Sequence, residues 1–474
     1  MIIRHKDLFI PTEKDGDPFE NCKLGRKKYA EVLTSIVESY ADGFVLAVNN
    51  PWGEGKSTFI KMWCQQLKNK EFQTLYFNAW ENDFQEDVLI ALLAELGVLK
   101  DTKDEAKFKK VLEKATPLIK NVGVGLLKGL SKKAGLEEAV QAMFEGVVEA
   151  TVNGLENEIE SYTTRKRGIE DFKNSLKEFV DAVDNEKPIV FFIDELDRCR
   201  PNYAVQILEQ IKHLFSVEGI VFVLSIDKEQ LGHAVRGVYG SDLIDANEYL
   251  RRFIDVEFSL PKSSTKDIVK YFYEYFDFGS YFNNSERRRN DFASEKENFI
   301  KFSEILFRSD NIAIREIEKI FVHARLSLRT HPHKSYVFPG MFLFLIYIKS
   351  KNSVFFNSIL AKKYTTQNLI IELEKMFPSS VTSRGEIDVV TLMLIQIALS
   401  YNDYYFPEDR LGKKIYEEVE RNIYQLTIDI SLDDSVNKER SNKMLRYIDS
   451  MFGFHTADFD YMINKIQLLD NLIT

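Results

Sequence analysis

Two glycines and a lysine set the chemistry to look for. In Asn49-Asn50-Pro51-Trp52-Gly53-Glu54-Gly55-Lys56-Ser57-Thr58, the glycines let backbone N–H groups close around a polyphosphate. Lys56 is spaced to reach the outer phosphates and Ser57 to ligate Mg2+, with Pro51, Trp52, Glu54 and Thr58 completing the lining of the loop. Asn50 stands where the pattern has its first glycine. Asparagine tolerates left-handed backbone better than most residues, so the turn remains feasible. Further along, Asp194-Glu195 follows an apolar run. Phosphoryl transfer to water needs the phosphate held, Mg2+ placed, a water oriented and the developing charge neutralised. A carboxylate at the carboxyl edge of a strand beside the loop strand can hold a Mg2+-bound water, which suits Asp194. Glu195 is then placed to orient or deprotonate the attacking water. Acids after apolar strands are common, because strand ends meet solvent. The upstream loop, in workable order, is what gives this pair its meaning.

The elements that must position these groups are readable. Phe44–Val48 is an apolar run before the loop, and Thr58–Gln66 a helix after it. Thr74–Phe77 reads as a second strand, Ile189–Ile193 as a third, Ile220–Ile226 as a fourth and Phe253–Phe258 as a shorter fifth. Near-continuous apolar strands alternating with helices imply a parallel sheet covered on both faces. An amphipathic helix is expected from Lys27 to about Tyr40, with Tyr29, Val32, Leu33, Ile36 and Val37 on one face. Helices are also expected at Pro201–Phe215 and Leu231–Val238. Residues 97–187 are charged, helical in pattern and carry Gly123, Gly125, Gly129, Gly135 and Gly146. This stretch is expected to be a helical, mobile insertion. After Pro261 the pattern is helical, giving a lid over 263–330 and an all-helical domain over 331–474, with 1–262 as the core.

At 474 residues, two or three domains are expected. A balance of 63 Lys and Arg against 73 Asp and Glu leaves a formal charge of −10, which disfavours a nucleic-acid partner. Three scattered cysteines argue against a disulfide framework or zinc site and suit a reducing cytosol. Arg4, Lys6 and Asp7 near the start leave no room for an apolar secretory segment. The uncharged stretches Ser335–Ile348 and Val389–Asn402 are shorter than the ~20 residues a bilayer needs, so they read as buried core helices. The expectation is a cytoplasmic protein with no membrane span. His331-Pro332-His333 reads as a loop pair rather than a metal site, and Arg287-Arg288-Arg289 as a solvated charge run. Trp80 either covers the nucleotide or packs behind strand two, the second being the more common use of such a ring. Phe342, Phe344, Tyr404, Tyr405 and Phe406 are expected in the core.

Together, Trp52-Gly53-Glu54-Gly55-Lys56-Ser57, Asn78-Ala79-Trp80, Asp194-Glu195-Leu196-Asp197-Arg198-Cys199 and Ile226-Asp227 resemble the KAP family of P-loop NTPases, within the broader AAA+/STAND-like group. Leu24-Gly25-Arg26 is similar to the family's lead-in segment. The resemblance covers about residues 17–330. It implies an α/β P-loop NTPase core, a five-stranded parallel sheet in the order 5-1-4-3-2, followed by a helical lid. It further implies Asp227 (or Ser225) as a sensor, and Arg251 or Arg252 as an arginine finger reaching a neighbouring subunit. Arg315 would be a second sensor, and Leu24 and Gly25 would line the adenine through backbone. Many members carry membrane helices between the two nucleotide motifs, but here Lys120, Lys128, Lys132, Lys133, Glu137 and Glu138 interrupt that region. Bacterial relatives are associated with phage exclusion and defence. The resulting expectation is an ATPase using ATP and Mg2+, assembling as a homo-oligomer or with a partner protein through its C-terminal domain. The alternative is a nucleotide-gated scaffold with little turnover.

Overall fold

The computed structural model describes residues 8–40, 43–84, 87–99, 104–119, 158–183, 186–290, 292–308, 312–329, 331–378, 381–406, 414–421, 423–430, 438–452 and 458–467. The chain divides into two compact units, one over Lys6–Lys262 and the other over Ser263–Thr474.

In the first unit, β1 (Val45–Asn49), β2 (Thr74–Asn78), β3 (Ile189–Asp194), β4 (Ile220–Ile226) and β5 (Val256–Phe258) form a parallel sheet. Its order is β2-β3-β4-β1-β5, the expected order read from the opposite edge. Every residue of β3 and β4 is buried, which is why these strands read as continuous apolar runs rather than alternating ones. Their side chains nevertheless alternate between two cores. Val190, Phe192, Val221, Val223, Leu46 and Val48 pack with helices Lys27–Ser39 and Lys56–Asn69. Ile189, Phe191, Ile193, Phe222, Leu224 and Ala47 pack with helices Val88–Leu96, Pro201–His213 and Lys228–Tyr239. Each fully buried side chain of this size contributes about 1.5–3 kcal/mol. Trp63 ties the first core together: its ring meets Phe192 edge-on at 5.2 Å and its indole N–H donates to Thr34 Oγ1 at 3.0 Å.

Helix Lys27–Ser39 buries Ala30, Leu33, Thr34 and Val37, whereas Val32 is exposed. At 100° per residue, Val32 falls away from the 30-33-34-37 stripe, so the sequence assignment of Val32 to the packed face is corrected. β5 is shorter than expected, because Phe253 N–H still bonds Leu250 O at the end of helix Ala246–Arg251. The described ends of the insertion are helices Glu105–Ala115 and Glu158–Val183. They cover the sheet: Phe108 meets Phe179 at 5.1 Å, and Phe172 meets Phe215 at 5.8 Å, which in turn meets Phe222 of β4. The glycines 123–146, the interrupting charges and the expected mobility all fall outside the described residues.

The second unit runs through helices Thr265–Tyr275, Ser294–Leu306, Ile314–Leu328, Pro339–Lys351 and Arg384–Tyr405. The uncharged stretch Val389–Asn402 lies within the last of these, and Pro339–Ile348 within the one before it, residues 335–338 preceding that helix; Phe342, Leu343, Phe344, Leu394 and Ile395 are buried as core. A Cβ added to Gly340 would stand 3.1 Å from Met393 Cγ, so the glycine permits close helix approach. Among the described residues, no helix is long and apolar enough to cross a membrane. The all-helical expectation for 331–474 is corrected by an antiparallel hairpin, β6 (Tyr416–Glu420) with β7 (Ile423–Leu426). The pair carries the β-branched and aromatic residues that favour strands, Tyr416, Val419, Ile423 and Tyr424, without the clean period-two alternation that would have announced it in the sequence.

The charge-run reading of Arg287 is also overturned. Its side chain is 0% exposed, donates from Nε to Glu295 Oε2 at 2.9 Å and lies over the rings of Tyr281 and Phe292. Arg288 and Arg289 remain exposed. Local charge pattern could not separate the one arginine that turns inward from the two that do not.

Candidate functional site

The carboxyl ends of β1, β3 and β4 fall at one edge, because the register sets Asn49 beside Ile226 and Asp194 beside Ser225. The chain leaving β1 forms a loop in which Gly53 (φ 85°) and Gly55 (φ 77°) take left-handed backbone. Helix Lys56–Asn69 starts directly after Gly55. A Cβ on Gly55 would stand 3.0 Å from the Arg26 guanidinium, so strain and space both require glycine. Arg26 donates from Nη2 to Glu54 O (2.7 Å) and from Nη1 to Gly55 O (3.1 Å), fixing the loop from behind. Burial pulls its pKa below the usual arginine range.

Asn50 does not take left-handed backbone. The reason inferred from sequence is therefore corrected: Asn50 is accommodated by bonding. Its Nδ2 donates to Leu260 O and its Oδ1 accepts from Leu260 N–H, both at 2.8 Å, while its own N–H donates to Ile226 O at 3.1 Å. Lys56, the first helical residue, is buried and its Nζ donates to Asn50 O and Pro51 O. Burial lowers the Lys56 pKa, and the nearby carboxylates of Asp197, Asp227 and Asp194 oppose that shift. Ser57 and Thr58 are half-buried in the same first turn.

Asp194 closes β3 and is 1% exposed. Its Oδ1 accepts from Glu195 N–H at 3.0 Å and its Oδ2 from the Tyr76 hydroxyl at 2.8 Å. Burial, and then Asp194 itself, push the Tyr76 phenol far above its ordinary pKa, so it stays a donor. Glu195 adopts left-handed backbone (φ 61°), a strained state for a residue with a side chain. Its carboxylate pairs with Arg198 Nη1 at 2.8 Å and accepts from Asn78 Nδ2 at 3.2 Å. The Arg198 guanidinium lies over the Trp80 ring at 5.5 Å, and Trp80 is 53% exposed. Trp80 therefore does not pack behind β2, the more common of the two placements that the sequence left open. The aromatic ring is spent on a cation at the surface.

Asp197 and Asp227 join these strand ends to the loop. Asp197 Oδ2 accepts from the Trp52 indole N–H and from Asp227 N–H (3.0 Å), while Asp227 Oδ2 accepts from Trp52 N–H at 3.2 Å. Burial raises the Asp197 pKa, opposed by the Trp52 hydrogen bond and by Lys56. Asp227 Oδ1 also caps helix Lys228–Tyr239 through Gln230 N–H (3.3 Å), which is why that helix begins before Leu231. Ser225 is fully buried, and among the described residues its hydroxyl has no protein partner.

The site thus brings together the 51–58 loop, Asp194, Glu195 and Asp227. Leu24 is half-buried and Gly25 exposed with φ 64°, both in the turn before helix Lys27–Ser39. Arg251 and Arg252 are exposed at the end of helix Ala246–Arg251, Arg251 pairing with Glu248 at 3.2 Å. Arg315 is exposed in the first turn of helix Ile314–Leu328 and belongs to the other unit. Sequence reasoning assigned no role to Arg26, Tyr76, Asn78, Asp197 or Arg198. The one signal for Tyr76 was a hydroxyl at the middle of the strand, between the apolar Leu75 and Phe77.

A parallel sheet of this order, with a glycine loop running into a helix after β1 and an acid pair after β3, defines a P-loop NTPase core. The profile of the KAP family P-loop domain matches residues 26–325. The chain belongs to that family. It is also similar to an uncharacterized protein of Methanocaldococcus jannaschii, 32% identical over 180 residues, covering 32% of this chain and 90% of that one. A solved structure of the Aeropyrum pernix ORC2 protein (ADPNP-ADP complexes) aligns over 95% of this chain and 98% of its own, with a TM-score of 0.34 and 12% identity. Likeness that weak bears no weight.

Proposed function

We propose that the chain binds ATP with Mg2+, hydrolyses it and acts as a nucleotide-driven switch. The observation that carries the reading is the placement of buried Lys56, behind two left-handed glycines, among the carboxylates of Asp194, Asp197 and Asp227. The donor set fits: Mg2+ takes hard oxygen ligands and keeps several from phosphate and water, so a hydroxyl and one carboxylate suffice from the protein. Ser57 and Asp194 would hold it, and it would supply charge neutralisation at the phosphates. Backbone N–H groups at Gly53 and Gly55 bind phosphate oxygens. Lys56 exchanges its loop carbonyls for the outer phosphates, an exchange its flexible four-carbon stem allows. Glu195 orients and deprotonates water. Asp227 senses the phosphate, Arg251 or Arg252 serves a neighbouring copy, Arg315 serves as a second sensor, and Leu24 and Gly25 line the base. The defence role implied by the family resemblance belongs to the same proposal.

A second reading, a scaffold that binds ATP with little turnover, draws on one observation: Arg198 and Asn78 already occupy the Glu195 carboxylate. Glu195→Gln separates the two. On the hydrolytic reading the variant binds ATP with unchanged affinity while phosphate release falls by ~10²-fold or more. Equal phosphate release from both proteins would remove Glu195 from the mechanism. A wild type that binds ATP but releases no phosphate would leave the scaffold.

A further inference from the structure

Asp194 is the acid on which the proposed metal site depends, and something must fix its orientation. A buried carboxylate turns broadly about its terminal torsion unless its oxygens are held. Here one donor meets each oxygen: Glu195 N–H on Oδ1 and the Tyr76 hydroxyl on Oδ2, at 3.0 and 2.8 Å. The first donor comes automatically from the next peptide. The second is supplied across the sheet by a side chain that the phosphate-loop pattern does not include.

The register explains how it arrives. β2 pairs Tyr76 with Phe192 and Asn78 with Asp194. Residues 76 and 78, like 192 and 194, share one face. Tyr76 is therefore the diagonal neighbour of Asp194, about 7–8 Å away between backbones, a span that a phenol bridges and a shorter hydroxyl does not. Its ring packs half-buried against the core beside helix Lys56–Asn69, which carries Lys56 and Ser57. One rigid side chain thus touches the loop helix's core and the acid on the neighbouring strand.

We propose that Tyr76 is a positioning residue for the divalent cation, its hydroxyl holding the Asp194 carboxylate in the orientation that receives a metal–nucleotide complex. This inference rests on the nucleotide reading above and deepens it. Partners that orient a metal-binding carboxylate typically govern metal affinity by 10–100-fold. The consequence for Tyr76→Phe is specific. Affinity for the nucleotide without metal is kept, and the response to metal is displaced.

The test uses the full chain and calorimetric titration of a non-hydrolysable ATP analogue, in EDTA and across a series of free Mg2+ concentrations. Tyr76→Phe is expected to match wild type within about twofold in EDTA, and to need about tenfold more Mg2+ for the same gain in affinity. In an Asp194→Ala background the tyrosine change is expected to add nothing, whereas a tyrosine that merely fills space costs the same in both backgrounds. Tyr76→Met serves the same comparison if the Phe chain does not fold. Superimposable Mg2+ responses for wild type and variant, or an equal loss in EDTA, overturn the inference alone. A wild type whose affinity ignores Mg2+ overturns the nucleotide reading beneath it and the inference with it.

Discussion

Arg26 and Asn50 show how single residues shape the phosphate loop. Arg26 bonds two consecutive loop carbonyls from a buried position, so the loop's N–H groups are directed away from it. Hydrogen bonds from a charged donor are each worth about 1.5–3 kcal/mol. Arg26→Ala is accordingly expected to weaken nucleotide binding by about tenfold or more, with Arg26→Lys intermediate because one ammonium does not reproduce the fork. Calorimetric titration checks this, and an unchanged Kd for the alanine variant would contradict it. Asn50 clamps the start of the loop to the chain beyond β5 through its paired bonds with Leu260. Asn50→Gly restores the common loop pattern yet removes both bonds. It is expected to destabilise the first unit by about 1–3 kcal/mol, read from urea unfolding. A more stable variant would show that the glycine pattern is the better solution here.

Among elements, the buried pair in the second unit is the most consequential. Arg287 joins helix Ser294–Leu306 through Glu295 and reaches the carbonyls of Pro332, His333 and Ser335, while Glu295 Oε1 accepts from Val337 N–H at 2.6 Å. The pair thereby fastens the segment leading to helix Pro339–Lys351. Arg287→Met strands a carboxylate in the core and is expected to cost about 3–5 kcal/mol. Urea unfolding of the full chain measures it, and a loss under about 1 kcal/mol would mean the segment is held otherwise. His331 in the same segment has its pKa lowered from 6.5 to about 4, chiefly by burial, with Arg287 reinforcing the shift. The unfolded chain therefore takes the proton first as pH falls. The stabilisation is complete above pH 6.5 and disappears towards pH 4, amounting to about 3 kcal/mol. His331→Gln should flatten that part of the stability profile between pH 7 and 4.5. Parallel profiles for variant and wild type would assign the acid lability to other groups.

At the scale of the whole molecule the question is assembly. Arg251 and Arg252 stand exposed at the end of a helix, where Arg251 makes a surface pair with Glu248. An arginine acting in trans typically raises phosphoryl-transfer rates by 10³–10⁵. If either residue completes a neighbour's site, phosphate release per chain rises with protein concentration. Arg251→Ala or Arg252→Ala then loses the concentration-dependent part while keeping nucleotide affinity. A rate per chain that is flat from low to high concentration would place charge neutralisation within one copy.

The sequence by itself determined the sheet, its strand order through the family resemblance, the phosphate loop and the acid pair. Those signals are local: a buried parallel strand is a continuous apolar run, a turn with positive φ demands glycine, and a strand end that emerges from the core carries acid. Only the tertiary structure decided which polar side chains turn inward. Tyr76 reaches Asp194 from residue 118 positions away, Asn50 meets Leu260 across 210, and Asp197 receives Trp52 across 145. Arg287 is buried where its two neighbours are solvated, because Glu295 and two aromatic rings happen to face it. Such contacts join distant segments, and their energy depends on burial and partner geometry. Neither quantity is encoded within a window of sequence.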